Sequence, residues 1–399
     1  MFAILTLAAA LAVAAPAEEL APASTATLRG VHFTGYAAGL PNARHKFIGE
    51  MKAAGFNAVA IALRDFDGGV FVPDVPLAKR THAYVRAIPD LPGAVKDFKD
   101  AGIYVIARIA VFKDDHLARA RPDLAVHNPD GGLWVNDKGT AWVDPYNQEV
   151  RDYAIDIASR AAAAGFDEIQ FDYIRFPSDG KTKLCRYSRK DHTPASASQA
   201  LVDFLTQARD RLKPLGVKLS IDTFGLTASV DNGMGIGQRL DKMAELVDYV
   251  SPMMYPSHYA KGQYGLKNPN RAPYQTVHQG ISDALERLGG HPEKLRPYLQ
   301  DFSLGVRYTP AHVRAQILAA EEQGVRGWLL WNAQNHYTWT AVQAGPVLKP
   351  AADAAKPAAT AAKPPPLPAA APAAAAPTSA TEDPSDVFAS TADARTEKP

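Results

Sequence analysis

The stretch FDEIQFDYIRFP, Phe166–Pro177, is aromatic and β-branched and stops at a proline, as a buried strand does. Within it Glu168, Gln170 and Asp172 occupy every second position, and Ile169, Phe171 and Tyr173 the positions between. Strand side chains alternate between faces, so the three polar groups point one way and the three apolar ones the other. An apolar face against helices with a polar face turned inward suits a closed barrel, in which Asp172, the last of the three, sits nearest the C-terminal mouth.

The rest of the chain can be laid out around this segment. Apolar strand candidates fall at 28–36, 56–63, 102–112, 166–176, 217–225, 247–256, 295–302 and 325–332. Amphipathic stretches such as KFIGEMKAAG, QEVRDYAIDIASRAAAAG and HVRAQILAAEEQG precede most of them and end in glycine, the usual left-handed stop of a helix. Eight strand–helix units between about residues 25 and 345 predict a single (β/α)₈ TIM barrel. An open doubly wound sheet would carry GxGxxG after its first strand, which is absent here. GMGIGQ, Gly233–Gln238, follows the fifth strand and reads as a flexible loop.

The same alternation sorts the other inward groups. In VKLSIDTFG, Leu219 and Ile221 face out, so Ser220 and Asp222 face in, with Asp222 near the mouth. In LRPYLQDF, Gln300 faces in, and Asp301 reaches the mouth only if a bulge or the strand end breaks the alternation. Ser251, Met253 and Tyr255 share a face of the sixth strand, and Trp331 and Asn332 end the eighth. Glu168, deep in the barrel, reads as half of an internal ion pair with Arg108 on the third strand. A competing structural reading of Asp172 is an ion pair with Arg108 or Arg175.

Two inward carboxylates on adjacent strands, ringed by aromatics, point to glycosidic bond cleavage. That reaction needs one carboxylate as nucleophile or base and a second carboxyl to protonate the leaving oxygen. Asp172 is the expected nucleophile or base, and Asp222 the expected acid, with Asp301 as its substitute. Tyr255, His258, Tyr259, Trp331, Asn332 and Arg108 are the expected substrate contacts, since aromatic faces stack on sugar rings. SHYAKGQYGLKNPNRAPYQTV, after the sixth strand, is expected to wall the cleft. The chemistry requires no cofactor and no metal. The eleven histidines show no HExxH or HxH spacing, and no GxSxG elbow is present.

Composition narrows the partners. Of the 399 residues, 47% are hydrophobic and 21% charged, as in a globular chain. The formal net charge of +1, with Lys and Arg read as scattered, does not suggest a nucleic-acid binder. A single cysteine, Cys185, excludes an intramolecular disulfide framework. The apolar run in MFAILTLAAALAVAAPAEEL is too short for a membrane span, and Ala12-Val13-Ala14 and Ala15-Pro16-Ala17 are cleavage candidates. Residues 1–17 are therefore expected to act as an export signal, placing the protein in the periplasm or outside the cell. From Pro346 to Pro399 the chain is rich in Ala and Pro and reads as a disordered tail, a possible spacer into the cell wall.

Several of these stretches together resemble the bacterial glycoside hydrolase family grouped as domain of unknown function 4015. They are IYVIARIAVFKD, ARPDLAVHNPDGGLWVNDKGTAWVDPYNQEV, GFDEIQFDYIRFPSDG, DTFGLTAS, MGIGQ, VDYVSPMMYPSHY, RPYLQDFSLG and GVRGWLLWNAQNHYT. The resemblance implies a barrel and a glycosidase role, and places Asp172, Asp222, Tyr255, Asp301 and Asn332 in signature stretches. The family pattern has an acid in the second strand where this chain has Ala62, with Asp65 and Asp67 following in the loop. A more distant similarity links Asp167, Gln170, Asp172 and Ile174 to the DxxDxDxE strand of family 18 glycosidases, with Met253, Tyr255 and Pro256 at its MxYD. Ile174 stands where that pattern has its catalytic Glu, so a directly acting Asp suits this chain better than substrate-assisted chemistry. The main alternative is a non-catalytic, lectin-like barrel of the cell envelope.

Overall fold

The computed structural model describes residues 27–343. The expected export segment and Ala/Pro tail lie outside the described residues. Eight parallel strands close into a barrel in chain order. They are β1 (Leu28–Phe33), β2 (Ala58–Arg64), β3 (Tyr104–Ala110), β4 (Glu168–Asp172), β5 (Lys218–Phe224), β6 (Tyr249–Met254), β7 (Tyr298–Gln300) and β8 (Gly327–Trp331). β8 pairs back onto β1, with Leu28 opposite Gly327 and Val31 opposite Leu330. No helix among the described residues is long and apolar enough to cross a membrane.

Local chemistry sets the helices that frame β4. Asn147 caps the helix Gln148–Ala163 through its side chain, and Thr193 and Ser196 form a reciprocal capping box on the helix Pro194–Leu212. Gly165, at φ +98°, makes the left-handed turn from the first of these helices toward β4. The outer face of β4 then packs on the second helix, with the Phe171 and Phe204 ring centroids 5.1 Å apart. Burying each such ring contributes about 1.5–3 kcal/mol.

The inner face of β4 is polar from floor to mouth. At the floor, the buried Glu168 forms an ion pair with Arg296 from β7's approach and accepts hydrogen bonds from Ser220 and Tyr104. One level up, Gln170 donates to Ser251 (3.2 Å) and accepts from Tyr298 (2.7 Å). Asp172 ends the strand. Arg108, the expected partner of Glu168, pairs with Asp172 instead. Its strand position lies opposite Gln170, one inward step above the Ile106–Glu168 level, so its guanidinium meets the mouth.

Three other expectations change. β4 stops at Asp172, and Tyr173 adopts φ +49°, which takes its ring off the outer face and into the mouth. The predicted cleft wall after β6 becomes short 3₁₀ turns and, from Pro273, a helix to Arg287, so only its first part can border the mouth. Gly233–Gln238 is tied down rather than free. The buried Gln238 accepts from the backbone of Phe224 (3.0 Å) and donates to the carbonyls of Ile174 (3.2 Å) and Asp222 (3.3 Å).

Candidate active site at the barrel mouth

β4 and β5 are paired neighbours, with Phe171 opposite Ile221, and the next residue on each strand is an aspartate. Asp172 and Asp222 therefore line one narrow pocket at the C-terminal end of the barrel. Arg108 sits between them: it is in ion-pair contact with Asp172, and its Nε lies 3.7 Å from Asp222 Oδ2. Trp331 covers the guanidinium at 4.7 Å, and Tyr255, Met253 and Tyr298 close the pocket on the β6–β7 side. Tyr173 and Arg175 complete the rim, the Arg175 cation 4.8 Å above the Tyr173 ring.

The two aspartates are not equivalent. Asp172 accepts from Arg108 and from the Tyr173 backbone N–H (2.5 Å). Asp222 is 1% exposed, and among the described residues its Oδ1 has no hydrogen-bond partner. Burial, and then the neighbouring Asp172 charge, push its carboxyl well above the usual carboxylate range, against the pull of Arg108. Burial also works against the Arg108 charge, yet Asp172 and Asp222 together hold its pKa above the ordinary value. His32, tilted against Trp331 with ring centroids 4.0 Å apart, is driven well below its ordinary value by burial and then by Arg108, so it sits neutral beside the guanidinium.

Other residues singled out in the sequence fall elsewhere. Asp301 lies just past the end of β7, where it accepts from the backbone N–H and hydroxyl of Thr338, each at 2.6 Å. It braces the segment after β8 and does not line the pocket with Asp172. Asn332 is part of the same brace, donating to the Asp301 carbonyl (2.6 Å) and accepting from the Gln334 N–H (2.8 Å). Tyr259 is buried in the main core, its hydroxyl directed at the Met254 sulfur. His258 is exposed at the rim, edge-on to Tyr255 at 5.4 Å.

The family relationship follows from this chain's sequence. The family model described as "Putative glycosyl hydrolase domain" matches residues 30–337. The chain belongs to that family. No curated protein matches it in sequence. A hypothetical protein from Ruminiclostridium thermocellum is 33% identical, with 48% of this chain and 96% of that one covered and a TM-score of 0.44. The PgaB (BpsB) glycoside hydrolase domain from Bordetella bronchiseptica is similar in fold at 15% identity, TM-score 0.58, over 79% of this chain and 98% of that domain. The α-L-fucosidase isoenzyme 2 from Paenibacillus thiaminolyticus is similar at 13% identity, TM-score 0.53, over 79% of this chain and 48% of that enzyme. These two likenesses concern the fold alone.

Asp65 is a mouth carboxylate that strand alternation left unassigned. The β2–β3 register slips between Ala62 and Arg64, and a one-residue slip exchanges the faces of whatever follows. Arg64 consequently points outward, onto Asp114 and the Tyr153 ring, and Asp65 follows at the strand's end. Burial, and then Asp67, raise the Asp65 carboxyl to about 6, against the attraction of Arg108. The folded chain thus holds this proton more tightly than the unfolded one. The stability it confers is complete below about pH 4 and falls as the pH rises through about 6. Urea midpoints at both ends of that range should show wild type losing on the order of 1–2 kcal/mol relative to Asp65→Asn, a value discounted for the partial solvent contact of Asp65. Parallel curves for the two proteins would remove Asp65 as the titrating group.

Proposed function

We propose that this domain cleaves glycosidic bonds with Asp172 and Asp222 as its carboxyl pair. The observation that carries the reading is their asymmetry in one pocket: Asp172 is the ion-paired carboxylate, and Asp222 is the carboxyl that burial favours in its protonated form. A protonated Asp222 donates to the leaving glycosidic oxygen, while Asp172 acts at the anomeric carbon, directly or through a water. Trp331 and Tyr255 form the aromatic wall of the pocket that the sugar would meet. Arg108 keeps a fixed positive charge beside both acids.

The test uses leaving groups of different basicity. Asp222→Asn should lose hydrolysis of an unactivated oligosaccharide by about 10²–10⁴-fold. It should retain more activity on a nitrophenyl glycoside, whose leaving group needs no proton. Equal losses on both substrates would remove Asp222 as the proton donor. The Arg108–Asp172 ion pair also favours a second reading, since it engages the proposed nucleophile: a carbohydrate-binding barrel without turnover. Saturable glycan binding by wild type with no product across a glycan panel would favour that reading.

A further inference from the structure

The loop that follows Asp172 lines two concavities. Tyr173 and Arg175 face the narrow pocket, and Phe176, Pro177 and Ser178 border a larger groove of about 690 Å³ beside it. That volume lies within the range of ordinary ligand sites. The far wall is the segment KTKLCRYSRK, Lys181–Lys190, with five basic residues in ten, so Lys and Arg are locally clustered despite the near-neutral total.

The charges in this groove are not all equal. Arg189 is neutralised by Asp191 at 2.9 Å. His192 is lowered from its ordinary value by burial and hydrogen-bonds with Tyr146. Lys183 and Lys190 are exposed, and among the described residues neither has an acidic partner. Arg186 rests on the carbonyls of Lys183 and Cys185, and among the described residues no acid meets its guanidinium. Among the described residues no carboxylate lines the groove; Asp179 lies behind it, accepting from Asn136 (2.7 Å) and keeping its charge. Three cations without a salt-bridge partner therefore face the groove, more than the one nearby Asp179 carboxylate can offset.

The groove also has an aromatic surface and a braced wall. Phe176, Tyr187 and His192 pack on one another, with centroids 4.4–5.2 Å apart. Arg186 exchanges two backbone hydrogen bonds with His127, at 2.9 and 2.7 Å. The Lys181 carbonyl accepts from Trp134 (3.2 Å), and the Ser188 N–H donates to Asp144 (2.6 Å). The cations thus stand on a fixed backbone beside the half-buried Tyr187 ring and the exposed His192 ring, with Phe176 buried behind them.

We infer that this groove is a subsite for an anionic glycan, one bearing carboxylate or phosphate groups, extending from the pocket that holds Asp172. As a statement of substrate class this rests on the glycosidase reading, but binding can be measured without turnover. The test is calorimetric titration of the full chain with a defined-length oligogalacturonide, its fully methyl-esterified neutral counterpart and a glycerol-phosphate oligomer. The acidic oligogalacturonide or the phosphate oligomer should bind more tightly than the ester, and which one does identifies the anion. Added salt should weaken that binding. In Lys183→Gln/Lys190→Gln, the preferred probe should bind about tenfold more weakly while the ester is unchanged.

Equal binding of acid, phosphate and ester overturns the proposal, as does unchanged affinity in the double variant. Displacement of the preferred probe by a single-stranded oligonucleotide of equal charge also overturns it, since the patch would then read charge and no sugar. Product analysis of the same mixtures is independent: binding with no product would count against the hydrolase reading and leave the subsite standing.

Discussion

Asp172→Asn should lower hydrolysis of any oligosaccharide substrate by about 10²–10⁴-fold, the range typical of losing one positioned acid–base group. The amide keeps the size of the carboxylate and can still accept from the Tyr173 N–H, so the mouth keeps its shape. It cannot act as nucleophile or base. The substitution also removes the closest counter-charge of the buried Arg108, and breaking a buried pair costs about 3–5 kcal/mol when the remaining charge is uncompensated. Here the lost Asp172 charge no longer opposes ionisation of Asp222, which at 3.7 Å can replace it beside the guanidinium under the Trp331 face, so the loss of stability should lie at or below the low end of that range.

Activity and stability must therefore be read together. Circular dichroism and a urea midpoint establish the folded fraction, and the rate is then taken per folded molecule. Arg108→Met separates the two effects: it disturbs the same pair but leaves the Asp172 carboxylate in place. Retention of more turnover by Arg108→Met than by Asp172→Asn supports a chemical role for the carboxylate. Undiminished turnover in Asp172→Asn would end the assignment, whatever its stability.

How much of this was legible in the sequence depends on the range of the interaction. Alternation along FDEIQFDYIRFP identified the inward face of β4, because the pleat is a two-residue property and needs no tertiary information. The same rule turned Asp222 inward, while the succession of eight apolar strands and glycine-terminated helical stretches predicted the barrel. Partner choice did not follow, because it depends on the height of each side chain in the closed barrel. Arg108 is near Glu168 in strand position, but the acid's partner is Arg296, which lies 128 residues away and approaches across the lumen. Conformational exceptions were equally hidden. Nothing in the identity of Tyr173 announces φ +49°, and nothing in Ala62–Arg64 announces the slip that precedes Asp65. Gln238 was passed over because its glycine-rich setting reads as loop, whereas its amide fastens the ends of both acid-bearing strands.

The floor of the barrel gives the second large effect, and it falls on stability. Glu168 is 0% exposed and Arg296 2%, with the Arg296 cation also 4.1 Å above the Tyr249 ring. Glu168→Leu leaves a buried guanidinium without its counter-ion, and should cost about 3–5 kcal/mol by urea titration. Glu168→Leu/Arg296→Met removes both charges and fills the space with apolar groups, and should recover most of that loss, since a buried ion pair often does no better than a well-packed apolar pair. A double variant no more stable than the single would show that Glu168 is held chiefly by Ser220 and Tyr104. Turnover per folded molecule in the double variant should stay near wild type, because Gln170 and its partners separate this layer from the mouth. Glu168 and Asp172 share a strand and a face, so they serve as controls for each other. A stability loss at the floor without a rate loss, and a rate loss at the mouth beyond any stability loss, assigns one carboxylate to holding the barrel and the other to chemistry.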